Sequence, residues 1–182
     1  MRVVSGIYKG FNLKAPKSNT TRPTESKVKE AIFDMLFPMK TGGLALDLFA
    51  GSGQMGIEFI SRGLSKVYFN EKDRNSYKII EENLGKLKTD KFELTKLDFK
   101  KALEAYKSKD LSFDYIYLDP PYYTEFYDEA INLIISYELL SEDGIIITES
   151  DKELKLDDKY DINLLKEKKY GRKIVNFYKK WK

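Results

Sequence analysis

The chain predicts an α/β fold built on a mostly parallel sheet, on three observations. Five short apolar segments, at about 44–49, 66–70, 92–97, 113–118 and 144–149, interleave with helical patterns at about 54–62, 74–87, 99–107 and 125–140. Strands alternating with helices are joined by crossovers, which gives a parallel sheet with helices on both faces. A small glycine-rich turn, Ala50-Gly51-Ser52-Gly53-Gln54-Met55-Gly56, joins the first of these strands to its helix. The tail, Asp161–Lys169 and Arg172–Lys180 about Tyr170-Gly171, reads as a final antiparallel hairpin at the sheet edge, making seven strands.

In order along the chain, Val3–Leu13 alternates and carries Gly6 and Gly10, which suggests a small hairpin or bulged strand pair. Pro16 and the polar Lys17–Thr21 make a loop. Pro23 and Thr24 then begin a helix through Phe37, with Val28, Ile32, Met35 and Leu36 on one face. After Pro38 and the Gly42-Gly43 break the alternating pattern starts, so residues 1–40 form an extension and 41–182 the core of one domain. The 182 residues suit a single domain with a sizeable core.

Ala45-Leu46-Asp47-Leu48-Phe49 reads as a buried strand, and the glycines after it let a ligand approach the backbone closely, as in nucleotide-binding βαβ units. The next strand, Lys66–Asn70, ends on Glu71, twenty positions after Gly51. A carboxylate at that place takes the ribose hydroxyls of an adenosine-containing cofactor. Asp47, Phe49, Gly51, Gly53 and Glu71 are therefore candidate cofactor residues. Asp98 ends the following strand and is a candidate both for the N-cap of a helix over Phe99–Tyr106 and for an adenine amino group, with the Phe99 backbone N–H on the ring, two roles that can hold together.

Leu118-Asp119-Pro120-Pro121-Tyr122 ends the fourth apolar strand in a stiff corner, because proline fixes φ and removes a backbone donor. The Pro120 carbonyl and the Asp119 carboxylate are two acceptors, matching the two protons of an exocyclic amine. An amine conjugated to a base ring is a poor nucleophile; accepting both protons frees its lone pair to attack an electrophilic methyl group. Tyr122 offers a face for base stacking, a contact of roughly 1–3 kcal/mol. Asp119, Pro120 and Tyr122 are the candidate catalytic residues, with Pro121 and Tyr123 beside them as substrate contacts. Nothing resembles a phosphate-cradling Gly-Lys-Ser/Thr, and S-adenosylmethionine is the cofactor that fits best.

Composition narrows the chemistry. With no cysteine and no histidine the chain lacks disulfides, thiolate or imidazole metal sites, Ser-His-Asp triads and cysteine nucleophiles, so no metal site is expected. Pyrimidine C5 methylation, which uses a cysteine adduct, is disfavoured. There is no signal-peptide pattern and no membrane-length apolar run, so a cytoplasmic protein is expected. No heptad pattern demands a partner, and a monomer is expected.

Net charge is +3, yet residues 1–40 carry eight Lys/Arg against three Asp/Glu and residues 166–182 carry eight against one, leaving −9 for the middle. Clustered basic residues supply phosphate contacts. Arg2, Lys9 and Arg172 are candidate substrate contacts for RNA, with Tyr8, Phe11, Tyr170, Phe177, Tyr178 and Trp181 interspersed among the charges. Solvated lysines and core aromatics are the alternative.

Over essentially its whole length the chain resembles the RsmD-type bacterial 16S rRNA guanine-N2 methyltransferases. The resemblance rests on Arg2-Val3-Val4-Ser5-Gly6 with Lys9-Gly10, Thr21-Arg22-Pro23-Thr24 with Val28-Lys29-Glu30, Leu46–Gly53, Glu71 and Asp73, Asp119–Tyr122, and Tyr170-Gly171. It implies a Rossmann-like class I S-adenosylmethionine-dependent methyltransferase fold with an N-terminal β-hairpin. It implies transfer of one methyl group to the N2 amine of a single guanine in 16S rRNA, within an assembling small ribosomal subunit. It makes Arg22 and Thr24 candidates for the cofactor site, Thr24 being otherwise a helix cap. Asn70 departs from the family, which tends to have an apolar residue there, and is expected to weaken its strand slightly. The rival readings are an adenine-N6 or cytosine-N4 amino-methyltransferase, a noncatalytic RNA-binding assembly factor on the same fold, and a dinucleotide oxidoreductase.

Overall fold

The computed structural model describes residues 1–15, 26–121 and 125–181. Its helices are α1 (Ser26–Met35), α2 (Gln54–Ser61), α3 (Arg74–Gly85), α4 (Phe99–Ser108) and α5 (Glu125–Ser136). Its strands are β1 (Leu44–Asp47), β2 (Lys66–Asn70), β3 (Phe92–Thr95), β4 (Phe113–Leu118), β5 (Leu140–Ser150), β6 (Ile162–Tyr170) and β7 (Lys173–Lys180). They form one sheet in the order β3-β2-β1-β4-β5-β7-β6. The first five strands pair in parallel, while β7 runs antiparallel between β5 and β6.

Alternation of side chains across the pleat divides the interior in two. Ala45, Val67, Phe69, Tyr115, Tyr117, Ile147, Val175 and Phe177 face α1, α2 and α3 on one side. Leu46, Leu48, Tyr68, Phe113, Ile116, Leu118, Ile146 and Tyr178 face α4 and α5 on the other. Helices thus cover both faces, as the βα alternation predicts. The chain runs outward from β1 through β2 to β3, then returns to place β4 on the other flank of β1. That reversal opens a crevice beyond the carboxyl ends of β1 and β4, where open α/β sheets bind ligands.

All eight residues of α2 are buried, although its sequence Gln-Met-Gly-Ile-Glu-Phe-Ile-Ser carries an acid. The sheet covers one side and the N-terminal segment the other. Glu58, fully buried, accepts hydrogen bonds from the Val4 and Ser5 backbone N–H groups at 3.1 and 3.0 Å, and pairs with Lys29 at 3.4 Å and Arg62 at 3.3 Å. Lys29 also donates to the Arg2 carbonyl at 2.7 Å. The expected N-terminal hairpin is reduced to a single antiparallel bridge, Arg2↔Asn12, closed by Val3 N–H to Phe11 and Gly10 N–H to Val3, both 2.9 Å. Its turn docks on α2 instead of pairing further: the Ile7 N–H donates to the Ser61 carbonyl, and a Cβ on Gly6 would stand 1.9 Å from that oxygen.

Two expectations are corrected. Residues 125–140 do not form one helix: α5 stops at Ser136, Glu138 turns with φ +55°, and β5 begins at Leu140. Leu139-Leu140 continues the helical apolar spacing, but both are buried where Leu140 pairs with Phe113. Asn70 does not weaken β2. Buried at its end, it donates to the Leu48 and Leu97 carbonyls and accepts from the Thr95 hydroxyl and the Leu97 N–H, tying the ends of β1, β2 and β3 together.

Candidate functional site at the switch point

The predicted site residues that the structure describes gather at the carboxyl ends of the parallel strands, with three exceptions. Asp47 ends β1, at 1% exposure. Its Oδ2 accepts from the Gly56 N–H at 3.0 Å, while its equally buried Oδ1 has no hydrogen-bond partner among the described residues. Burial pushes its carboxyl up to about 7, against the Gly56 hydrogen bond, and the charge of Glu71 adds to the rise.

Between them the glycine turn takes two left-handed positions, Gly51 at φ +56° and Gly53 at φ +76°, which glycine adopts without steric cost. A Cβ on Gly51 would meet nothing within 4 Å, so the backbone there is open to a ligand. Glu71 is aimed at this turn. Its Oε2 accepts from the Gly51 N–H at 2.7 Å and its Oε1 from the Asp73 N–H at 2.8 Å, and burial holds its carboxyl above the usual range. Each oxygen keeps a second lone pair.

On the α4–α5 side the crevice has an aromatic wall. The Phe49 ring is 5.3 Å from Phe99 and stacks at 6.5 Å on Phe126, itself 5.5 Å from Phe99. Asp98 is the N-cap of α4, its Oδ1 accepting from the Lys100 N–H at 3.2 Å, and its Oδ2 lies 3.0 Å from Lys72 Nζ. Partial burial works to raise the Asp98 pKa, but these contacts outweigh it and hold the carboxyl below its ordinary value.

Asp119 follows β4 directly. Its side chain keeps 28% of its surface open, and Pro120 behind it is buried while Pro121 is exposed. Two residues that sequence reasoning missed complete this corner. Lys173, at the start of β7, places its Nζ 3.0 Å from Glu149 Oε1 and 4.0 Å from Asp119 Oδ1. The Tyr117 hydroxyl donates to Glu149 Oε2 at 2.6 Å, and the Tyr127 hydroxyl to the Glu149 carbonyl at 2.6 Å. Burial, then the charge of Glu149, raises the Asp119 carboxyl above the carboxylate range, with Lys173 opposing. The signal for Glu149 was an acid directly after the run Ile145-Ile146-Ile147-Thr148; Lys173 had none, being one basic residue in a basic tail.

The exceptions are among the proposed substrate contacts. Arg172 is exposed in the β6–β7 turn, at the crevice end of the hairpin. Arg2 is exposed on the N-terminal segment, in the bridge to Asn12. Lys9 sits in the turn docked on Ser61, at the end of α2 away from the glycine turn, so the structure does not bring it to Asp119. Arg22, Thr24, Tyr122 and Tyr123 lie outside the described residues.

Asp47, Glu71 and Asp119 thus gather at one crevice, with Glu149 buried behind it and Lys173 as the cation set between Glu149 and Asp119. Such a field suits a cationic ligand and repels a pyrophosphate, which sets the crevice apart from a dinucleotide site. The open glycine backbone, the fixed Glu71 and the spare Asp47 oxygen fit an adenosine-containing sulfonium such as S-adenosylmethionine. No helix among the described residues is long and apolar enough to cross a membrane.

The Haemophilus influenzae protein named ribosomal RNA small subunit methyltransferase D is 33% identical over 182 residues, covering 97% of this chain and 91% of its own. The Bacillus subtilis protein YlbH, provisionally named an rRNA methyltransferase, is 41% identical over 182 residues, 99% of each chain. An Escherichia coli structure, yhhF, provisionally titled a methyltransferase, superposes with a TM-score of 0.87 at 28% identity, covering 100% of this chain and 98% of that one. Residues 1–179 match the family described as conserved hypothetical protein 95. The chain therefore belongs to that family, the RsmD-type methyltransferases, and its sheet is the Rossmann-like class I methyltransferase fold.

Proposed function

We propose that the chain methylates the exocyclic N2 amine of one guanine in small-subunit rRNA, using S-adenosylmethionine, during subunit assembly in the cytoplasm. The observation that carries this reading is the corner at Asp119 and Pro120, which puts a part-open carboxylate at the switch-point crevice beside the glycine turn. When bound, S-adenosylmethionine supplies an electrophilic methyl group on a cationic sulfonium. The Gly51–Gly53 turn, Glu71, Asp47 and the Phe49 wall are the residues that would hold it.

For the substrate, Asp119 accepts a hydrogen bond from one amine N–H and the Pro120 carbonyl from the other, so the nitrogen lone pair is withdrawn from the ring and aimed outward. The guanine is flipped from its stack to reach this corner, and Tyr122 is assigned its ring face. Once the nitrogen is cationic its proton leaves to water, and the anionic crevice favours that cation while it lasts. Positioning and preorganised charge supply the catalysis, without a nucleophilic intermediate.

The test is methyl incorporation from labelled cofactor into unmodified small subunits and into deproteinised 16S rRNA, with nucleosides identified by mass. N2-methylguanosine is expected, and Asp119→Ala is expected to lower kcat about a hundredfold or more while cofactor affinity by calorimetry changes little. Equal turnover by Asp119→Ala overturns the assignment, and N6-methyladenosine or N4-methylcytosine in the digest would assign the corner to another amine.

A further inference from the structure

The pair of buried Glu149 and part-exposed Lys173 has no part in the amine-holding scheme above, yet its lysine is shared with Asp119. We propose that Lys173, anchored on Glu149, is a positioning residue that favours the anionic, accepting form of the Asp119 side chain at the crevice. This rests on Asp119 being the acceptor for the amine.

The register sets the three groups side by side. Tyr117 pairs with Ile147, so Asp119, two residues on, stands across from Glu149 on the α1–α3 face of the sheet. Glu149 pairs with Val175, so Lys173, two residues before it in β7, falls on the same face. One ammonium spans both carboxylates, at 3.0 Å from Glu149 and 4.0 Å from Asp119. Glu149 is at 0% exposure and is held on its other oxygen by the Tyr117 hydroxyl, so the anchor is fixed and the lysine is directed from it.

Among the described residues, the other charges bearing on Asp119 work against its ionisation. Glu149 and Asp151 from the end of β5 and Asp47 from β1 raise its carboxyl, and Lys173 is the cation among these groups that opposes them. A protonated Asp119 would donate where the mechanism needs an acceptor, and the amine would lose one of its two partners. The antiparallel insertion of β7 next to β5 is what delivers the lysine, which gives that hairpin a role in the chemistry as well as in the sheet.

The experiment compares the wild type, Lys173→Met, and Lys173→Met with Glu149→Gln. Turnover on rRNA is measured against pH, and the Asp119 carboxyl is followed by carbon NMR of aspartate-labelled protein, assigned with Asp119→Asn. In Lys173→Met the acid limb of the kcat profile is expected to move to higher pH, with about tenfold lower kcat below it for each unit moved, recovery at alkaline pH, and unchanged cofactor affinity. Glu149→Gln in the second variant removes a repelling charge and is expected to bring the limb back down, which a purely structural loss would not do. The Asp119 midpoint should rise and fall in step. An unmoved midpoint in Lys173→Met overturns the inference, with or without turnover. A wild type that methylates no rRNA while its midpoint shifts as stated would instead sink the amine reading alone.

Discussion

A carboxyl group buried at 1% exposure with one oxygen unpartnered is costly to ionise, and Asp47 is such a group. Its native pKa of about 7 lies above the unfolded value of 3.8. The folded state therefore binds the proton more tightly, so the stability from this residue is full below pH 4 and is lost as pH rises toward 7, by roughly 4 kcal/mol at most. Asp47→Asn is expected to raise the midpoint of thermal unfolding more at pH 8 than at pH 4.5, and to weaken cofactor binding; equal gains at both pH values would show that Asp47 is ionised throughout. Asp47 was legible in the sequence because it precedes the glycine turn, and Glu71 and Asp119 because each follows an apolar strand directly, where in this topology the strand end is the edge of the crevice. Glu149 and Lys173 were not. Their partnership spans 23 intervening residues and depends on where β7 enters the sheet, which no local spacing records.

Among the elements, α2 and the N-terminal segment form one unit through Glu58. Removing that carboxylate would strip the acceptors from Val4 and Ser5 and leave Lys29 buried without its counter-charge. Burial already lowers the Lys29 pKa, with Glu58 holding against it. Glu58→Ala is expected to cost about 3–5 kcal/mol in urea unfolding and to speed amide exchange across residues 3–13; slow exchange there would mean the segment is held by its own turn. The helical and parallel elements were readable from apolar period and glycine breaks. The end of α5 was not, because neither Gly nor Pro separates Ser136 from Leu140. The small N-terminal hairpin that the alternation of Val3–Leu13 suggested is present in minimal form, as one antiparallel bridge with flanking backbone hydrogen bonds, and Val3 and Leu13 are its buried residues.

Across the whole molecule the charges are segregated, with −9 between residues 41 and 165 and a surplus of twelve positive charges at the two ends. On β6, Lys166 and Lys168 lie across from Phe177 and Val175, on the same face as Asp119. They form an exposed basic strip that leads toward the crevice, suited to the phosphates flanking a target nucleotide. Lys166→Glu with Lys168→Glu is expected to flatten the log–log salt dependence of rRNA binding by about 1 to 2, with cofactor affinity unchanged; an unaltered slope would place the RNA elsewhere. The strip bears also on how the molecule avoids itself. A seven-stranded open sheet ends in two rims of unpaired backbone groups, which invite another chain to add a strand. One rim is β3, four residues long and bracketed by Lys91 and Lys96, and the other is β6, with Lys166, Lys168 and Lys169 along it. Two copies approaching rim to rim would bring lysine against lysine, so the same basic residues that suit a polyanion also disfavour the addition of a strand from another copy.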